Sequence, residues 1–189
     1  MCTTSQPRKA SGFTLIELIA FIAIIGISVA GVLLSFDTAA RGSADPTVRK
    51  QALAIAESML EEIQQMPYTY CDPDDPAATT AASAASCATV EAIGPEPGES
   101  RYNAITPFDN VNDYHGYNTA IEAPAGIKDL SGAPIGGGLA LYNAAVSVSN
   151  AALAGVPAAE ALLIQVTVTA PGNVTVALAA YRTRHAPRL

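Results

Sequence analysis

The chain has 189 residues, a length that suits one domain with room for an appendage. Hydrophobic residues make up 50% and charged residues 14%, which permits a buried core and excludes a disordered tail. A net charge of -7 argues against a nucleic-acid-binding surface, so no nucleic acid is expected as a partner.

Arg8 and Lys9 are the only charges before residue 17. Residues 13–36 are then apolar or small, with Glu17 the exception. As a helix this run spans roughly 36 Å, more than the ~30 Å hydrocarbon core of a bilayer. It is also too long for the roughly 7–15-residue core of a secretory signal. Positive residues stay in the cytoplasm, so Arg8 and Lys9 place the N-terminus inside and the remaining chain outside.

Glu17 is the oddity of the run. A carboxylate in a membrane helix costs roughly 2.5–3.5 kcal/mol at the centre and less near an interface. No Lys, Arg or His lies between Lys9 and Arg41, so the helix itself supplies no cation at helical spacing. Proteolysis after Gly12 would create one, because Phe13 would then carry a free amine one turn from Glu17. Two plainer readings stand beside this one. Glu17 snorkels to the headgroups of a simple single-pass anchor, or a conventional signal is cleaved near Thr38-Ala39-Ala40.

The stretch Lys9-Ala10-Ser11-Gly12-Phe13-Thr14-Leu15-Ile16-Glu17-Leu18 resembles the processing signature of type IV prepilins and type II secretion pseudopilins. The resemblance implies cleavage after Gly12 by a membrane aspartic prepilin peptidase and N-methylation of Phe13. It also implies that Glu17 pairs with the new amine during filament assembly. Residues 1–12 would be the leader, 13–44 the transmembrane and filament-core helix, and 45–189 an exported head. Some pilins carry a helix-breaking proline in the second half of this segment; this chain has Gly26 and Gly31, which would allow close helix packing.

Beyond the apolar run, Gly42 weakens the helix, and Asp45-Pro46 reads as an N-cap and first helical position. We expect a break or kink there, then a second helix from about Pro46 to Met66, stopped by Pro67. Val48, Ala52, Leu53, Ile55, Ala56, Met59, Leu60, Ile63 and Met66 fall on one broad arc of it. Lys50, Glu57, Glu61, Glu62, Gln64 and Gln65 fill the other. The apolar stripe is packing surface, not a cofactor site.

Pro and Asp residues mark turns from Tyr70 to Pro76, and an Ala-rich stretch over 76–90 forms a short helix or stays mobile. Cys71 and Cys87 bracket it. With Cys2 lost in the leader they form an even pair, and in an exported domain their default reading is a disulfide worth about 3 kcal/mol. The alternatives are a metal site or a redox pair; no nearby His and no CxxC spacing supports them.

Residues 91–136 are loop-like. Asp109, Asn112 and Asp113 offer hard oxygen ligands, which makes calcium conceivable. They lack EF-hand spacing and its closing glutamate, so a turn-rich segment held by its aromatics is the favoured account. His115 beside carboxylates invites a catalytic reading, but the other His, His185, is near the end of the chain and no nucleophile motif is present.

Residues 139–184 read as strands. Tyr142, Ala144, Val146 and Val148 share one face; Ile164, Val166 and Val168 alternate with polar residues; Val174, Val176, Leu178 and Ala180 alternate again. Ala170-Pro171-Gly172-Asn173 is a turn, so the last two strands form a hairpin with the first beside one of them. The fold class is α+β. A long N-terminal helix, half transmembrane and half amphipathic, packs on a C-terminal antiparallel sheet, which resembles the pilin fold.

Ser43-Ala44-Asp45-Pro46, Arg49-Lys50-Gln51-Ala52-Leu53-Ala54-Ile55-Ala56-Glu57-Ser58, and Phe108-Asp109-Asn110-Val111 with Tyr114 and Gly116-Tyr117 are similar to the MshD group, minor pilins of mannose-sensitive haemagglutinin type pili. That resemblance implies a filament subunit with no cofactor. Its partners would be the prepilin peptidase, other pilin subunits and the inner-membrane assembly platform. It would rest in the bacterial inner membrane before assembly and at the cell surface after it. Two alternatives are a type II secretion pseudopilin and a filament-displayed adhesin or ligand-binding head. With four Phe, seven Tyr and no Trp, the chain gives the binding head little support. No enzyme is expected, since the sequence has no phosphate loop, no Ser-His-Asp order and no zinc spacing.

Overall fold

The computed structural model describes residues 12–184, apart from the side chains of residues 39–45. Cys2, Arg8, Lys9 and His185 fall outside the described residues. The chain divides between Ala44 and Asp45 into two compact units.

One helix, α1 (Leu15–Gln65), replaces the two expected, and Pro46 lies inside it. Proline lacks the N–H for one helical rung and crowds the carbonyl four residues back, here Gly42. A single missing rung leaves the ladder on either side intact, so the predicted break at Arg41–Pro46 is not found. The helix ends where expected, one residue early. Met66 N–H donates to the Ile63 carbonyl at 3.1 Å, tightening the last turn before Pro67.

In the first unit, Leu15–Thr38 is predominantly apolar, with Glu17 and Asp37 its charged residues, a mean hydropathy of 2.7 and no buried residue. Its hydroxyls are satisfied within the helix. Ser28 donates to the Ile24 carbonyl at 2.8 Å, Ser35 to Gly31 at 3.0 Å and Thr38 to Leu34 at 2.8 Å. Such a segment needs apolar surroundings, which supports membrane anchoring.

The second unit is built on a three-stranded antiparallel sheet in the order β1 (Asn143–Asn150), β2 (Ala161–Ala170), β3 (Val174–Thr183). The first strand starts later than predicted because Leu139–Leu141 form a 3-10 turn. Register sets Val146 opposite Val166 and Val166 opposite Leu178, so apolar side chains stack across one face. The β2–β3 connection runs through Gly172 (φ 74°) and Asn173 (φ 60°), left-handed positions suited to those two residue types.

Ala52, Ala56, Met59 and Ile63 of α1 share one core with Val146, Val148, Leu162, Ile164, Val166 and Val168. Each fully buried aliphatic side chain contributes roughly 1.5–3 kcal/mol. Leu53 does not join them and is exposed, so the predicted arc was too wide. The outer edge of β1 is covered by the loop, with Val146 N–H donating to the Tyr117 carbonyl at 2.9 Å and Thr119 N–H to Ala144 at 3.0 Å.

Glu62, expected on the polar arc, is instead enclosed. Arg101 Nε donates to its Oε1 at 2.7 Å, Arg101 Nη2 to its Oε2 at 2.5 Å, and the Tyr114 hydroxyl to Oε1 at 2.8 Å. Phe108, Tyr114 and Tyr117 pack edge to face beside this pair, with centroids 5.1–6.4 Å apart.

Candidate functional site

The described chain begins outside any helix or strand. Gly12, Phe13 and Thr14 precede α1, and Phe13 is 87% exposed. Thr14 N–H and hydroxyl both lie 3.4 Å from Glu17 Oε2, and Glu17 N–H lies 3.4 Å from Thr14 Oγ1. This reciprocal arrangement is a capping box, with Thr14 as N-cap and Glu17 three residues in. The sequence carries the Thr-x-x-Glu signal for it. The structure thus gives Glu17 a local partner, the Thr14 amide, one residue from the bond that processing would cut. A side chain at Gly12 would meet nothing within 4 Å among the described residues.

In the second unit, Cys71 and Cys87 are bonded, with an S–S distance of 2.01 Å. Next to the bond, Cys71 bridges Val90, Asp72 N–H donates to the Thr89 carbonyl at 3.2 Å, and Glu91 N–H to the Tyr70 carbonyl at 3.0 Å. The Ala-rich stretch between them forms turns and one 3-10 turn, Ala84–Ser86, with no α-helix. Asp75 pins it: Oδ1 accepts from Ala77 N–H at 2.7 Å, and Oδ2 from Ala88 and Thr89 N–H at 2.7 and 2.6 Å.

Beside this staple the carboxylates gather in two groups. Donor oxygens of Glu91, Glu96 and Asp113 lie within 4.8 Å of one another, and so do those of Asp72, Asp74 and Asp109. The predicted trio is therefore split between them. Asp113 joins Glu91 and Glu96, which the sequence reading missed, Asp109 joins the other group, and Asn112 keeps a buried Oδ1 with no donor. His115 Nδ1 is occupied as acceptor for Val148 N–H at 3.2 Å.

Burial pushes the Glu91 carboxyl up to about 9, helped by the charges of Asp113, Glu96, Asp72 and Asp109. Burial also lifts Asp109 and Asp113 to about 6; their neighbouring carboxylates add to this, while the Asn110 and Asp109 amides on Asp113 pull it down. Unfolded carboxyls titrate near ~4, so above that pH the metal-free folded state binds more protons than the unfolded one. The stability these groups contribute is present at low pH and lost as pH rises through their folded values. Melting of the chelated protein is expected to fall steadily between about pH 5 and about pH 9. Asp75 and Asp129, whose hydrogen bonds hold their carboxyls low, act with the opposite sign below that window. A melting temperature that rises across it would contradict this assignment.

Residues 7–33 match the family described as "Prokaryotic N-terminal methylation motif". Comparisons with curated proteins and with solved structures found no match. The motif supports a type IV pilin-like or pseudopilin-like protein, and with it processing by a prepilin peptidase and assembly with other pilins.

Proposed function

We propose that the chain is a minor type IV pilin of the MshD kind, a structural subunit that primes or modifies a pilus filament. The observation that carries this is the exposed Gly12-Phe13 junction leading into a wholly exposed apolar helix whose one ionisable side chain before Asp37 is Glu17. Arg8 and Lys9 hold the leader in the cytoplasm while the helix inserts and the head stands outside. Cleavage after Gly12 frees the Phe13 amine, which is then methylated. On assembly the helices leave lipid for one another, and Glu17 meets an amine of its own or a neighbouring subunit. The MshD assignment rests on the junction at Ser43–Pro46, the Arg49–Ser58 run and the Phe108–Tyr117 segment.

Mass spectrometry of the mature N-terminus tests this directly, with a methylated phenylalanine at position 13 as the expected result. Gly12→Asp is expected to abolish processing. Because a side chain at position 12 meets nothing among the described residues, the block would arise in the peptidase site rather than from misfolding. Mature-sized Gly12→Asp protein in cells would overturn the reading.

A displayed binding head has one feature in its favour. A groove of about 560 Å³ runs beside α1, between Ile55, Met59 and Glu62 on the helix and Ile127, Leu130 and Ile135 on the loop. It falls within the size range of small-ligand sites.

A further inference from the structure

We propose that Glu91, Glu96 and Asp113 form a calcium site in the second unit. Their donor oxygens lie within 4.8 Å of one another. Three atoms at that limit share a centre only a few tenths of an ångström farther from each than a calcium–oxygen bond of ~2.4 Å, so a small contraction lets one ion reach all three. Magnesium, at ~2.1 Å and strictly octahedral, would require a larger contraction.

The independent observation is a set of buried acceptors with nothing to accept from. Asp113 is 0% exposed; its Oδ2 receives Asp109 and Asn110 N–H at 2.9 and 2.7 Å, and its Oδ1 has no donor. Both oxygens of Glu91 are buried and equally without a donor. Buried oxygens normally find a partner, so such a group is explained by an ion or by protonation. Among the described residues no ion pair reaches the trio: Arg101 pairs with Glu62, Lys128 with Glu122 and Arg184 with Glu160, and Arg182 donates to the Met66 carbonyl. Further carboxylates stand around the trio, namely Asp72, Asp74, Asp109 and Glu99. An all-oxygen donor set with no thiolate or free imidazole selects a hard ion.

The frame is prepared for it. The Cys71–Cys87 bond and the Tyr70–Glu91 hydrogen bond fix Glu91, and Gly94 N–H donating to the Asn112 carbonyl at 3.1 Å ties the Glu91–Glu96 loop to Asp113. The proposal is independent of the filament role and stands or falls without it.

The test uses the full chain purified in detergent, stripped with chelator and titrated with calcium at neutral pH, read by calorimetric binding and by thermal melting. One ion per chain is expected, with millimolar calcium raising the melting temperature by several degrees and magnesium doing much less. Glu91→Gln and Glu96→Gln, each on a separate chain, are expected to weaken binding roughly tenfold or more while keeping the circular dichroism spectrum. Because Asp113 also holds two backbone amides, Asp113→Asn is not used. Absence of a binding heat together with an unchanged melting temperature would overturn the site. So would full calcium response in both glutamine variants.

Discussion

Glu17→Ala is expected to leave the protein inserted and trimmed but to lower its amount in sheared filaments roughly tenfold or more, a loss equivalent to about 1.4 kcal/mol of assembly energy. The carboxylate is the one ionisable group from Leu15 to Phe36, so a subunit interface there has no other charge to use. Alanine removes two things at once, the charge and the capping box with Thr14. Glu17→Gln separates them. Its amide oxygen still accepts from Thr14 N–H, which preserves a cap worth about 1 kcal/mol, while the charge is gone. The glutamine variant is expected to be as depleted from filaments as the alanine variant, with normal mature N-termini in the membrane fraction. If glutamine incorporates at the wild-type level, the cap and not the charge is what assembly needs.

Glu62→Ala is expected to destabilise the second unit by about 3 kcal/mol, because removing one partner of a buried ion pair strands the other. The Arg101 side chain is 7% exposed and sends two nitrogens to Glu62, and the Tyr114 hydroxyl loses its acceptor as well. For a unit of this size the melting temperature should fall by roughly 6–12 °C. Glu61→Ala, one residue away and exposed, should change it by less than about 0.5 kcal/mol. Thermal denaturation of the detergent-solubilised chain followed by circular dichroism checks both. Equal small effects would show that Arg101 finds water or another acceptor.

Glu62 also shows where sequence reading stops. Helical periodicity assigns it to solvent correctly as far as α1 alone goes, but a loop nearly forty residues later brings Arg101 and Tyr114 over it. Periodicity did locate Ala52, Ala56, Met59 and Ile63, because a 3.6-residue repeat and burial are directly linked. The three strands were legible for the same reason, each alternating against a single core face. Pro46 misled, since an Asp-Pro pair looks identical whether it opens a helix or interrupts one. In the acidic group, Asp113 could be nominated from its own segment. Glu91 and Glu96 could not, because it is the Cys71–Cys87 staple and the pairing of residues 70–72 with 89–91 that carry them there. Thr14-x-x-Glu17 was legible outright, since a capping box needs no residue beyond the first turn.

Ser28, Ser35 and Thr38 spend their hydroxyls on carbonyls of their own helix. From Leu18 to Phe36 the rod therefore offers a neighbour no charge and no spare hydroxyl proton, little more than contour. Two such rods can slide past or roll around each other with little to mark one offset from the next. If such rods pack into a fibre as proposed, the axial position of a subunit would fall to the charged point near its N-terminal end, Glu17, the notch on an otherwise blank ruler.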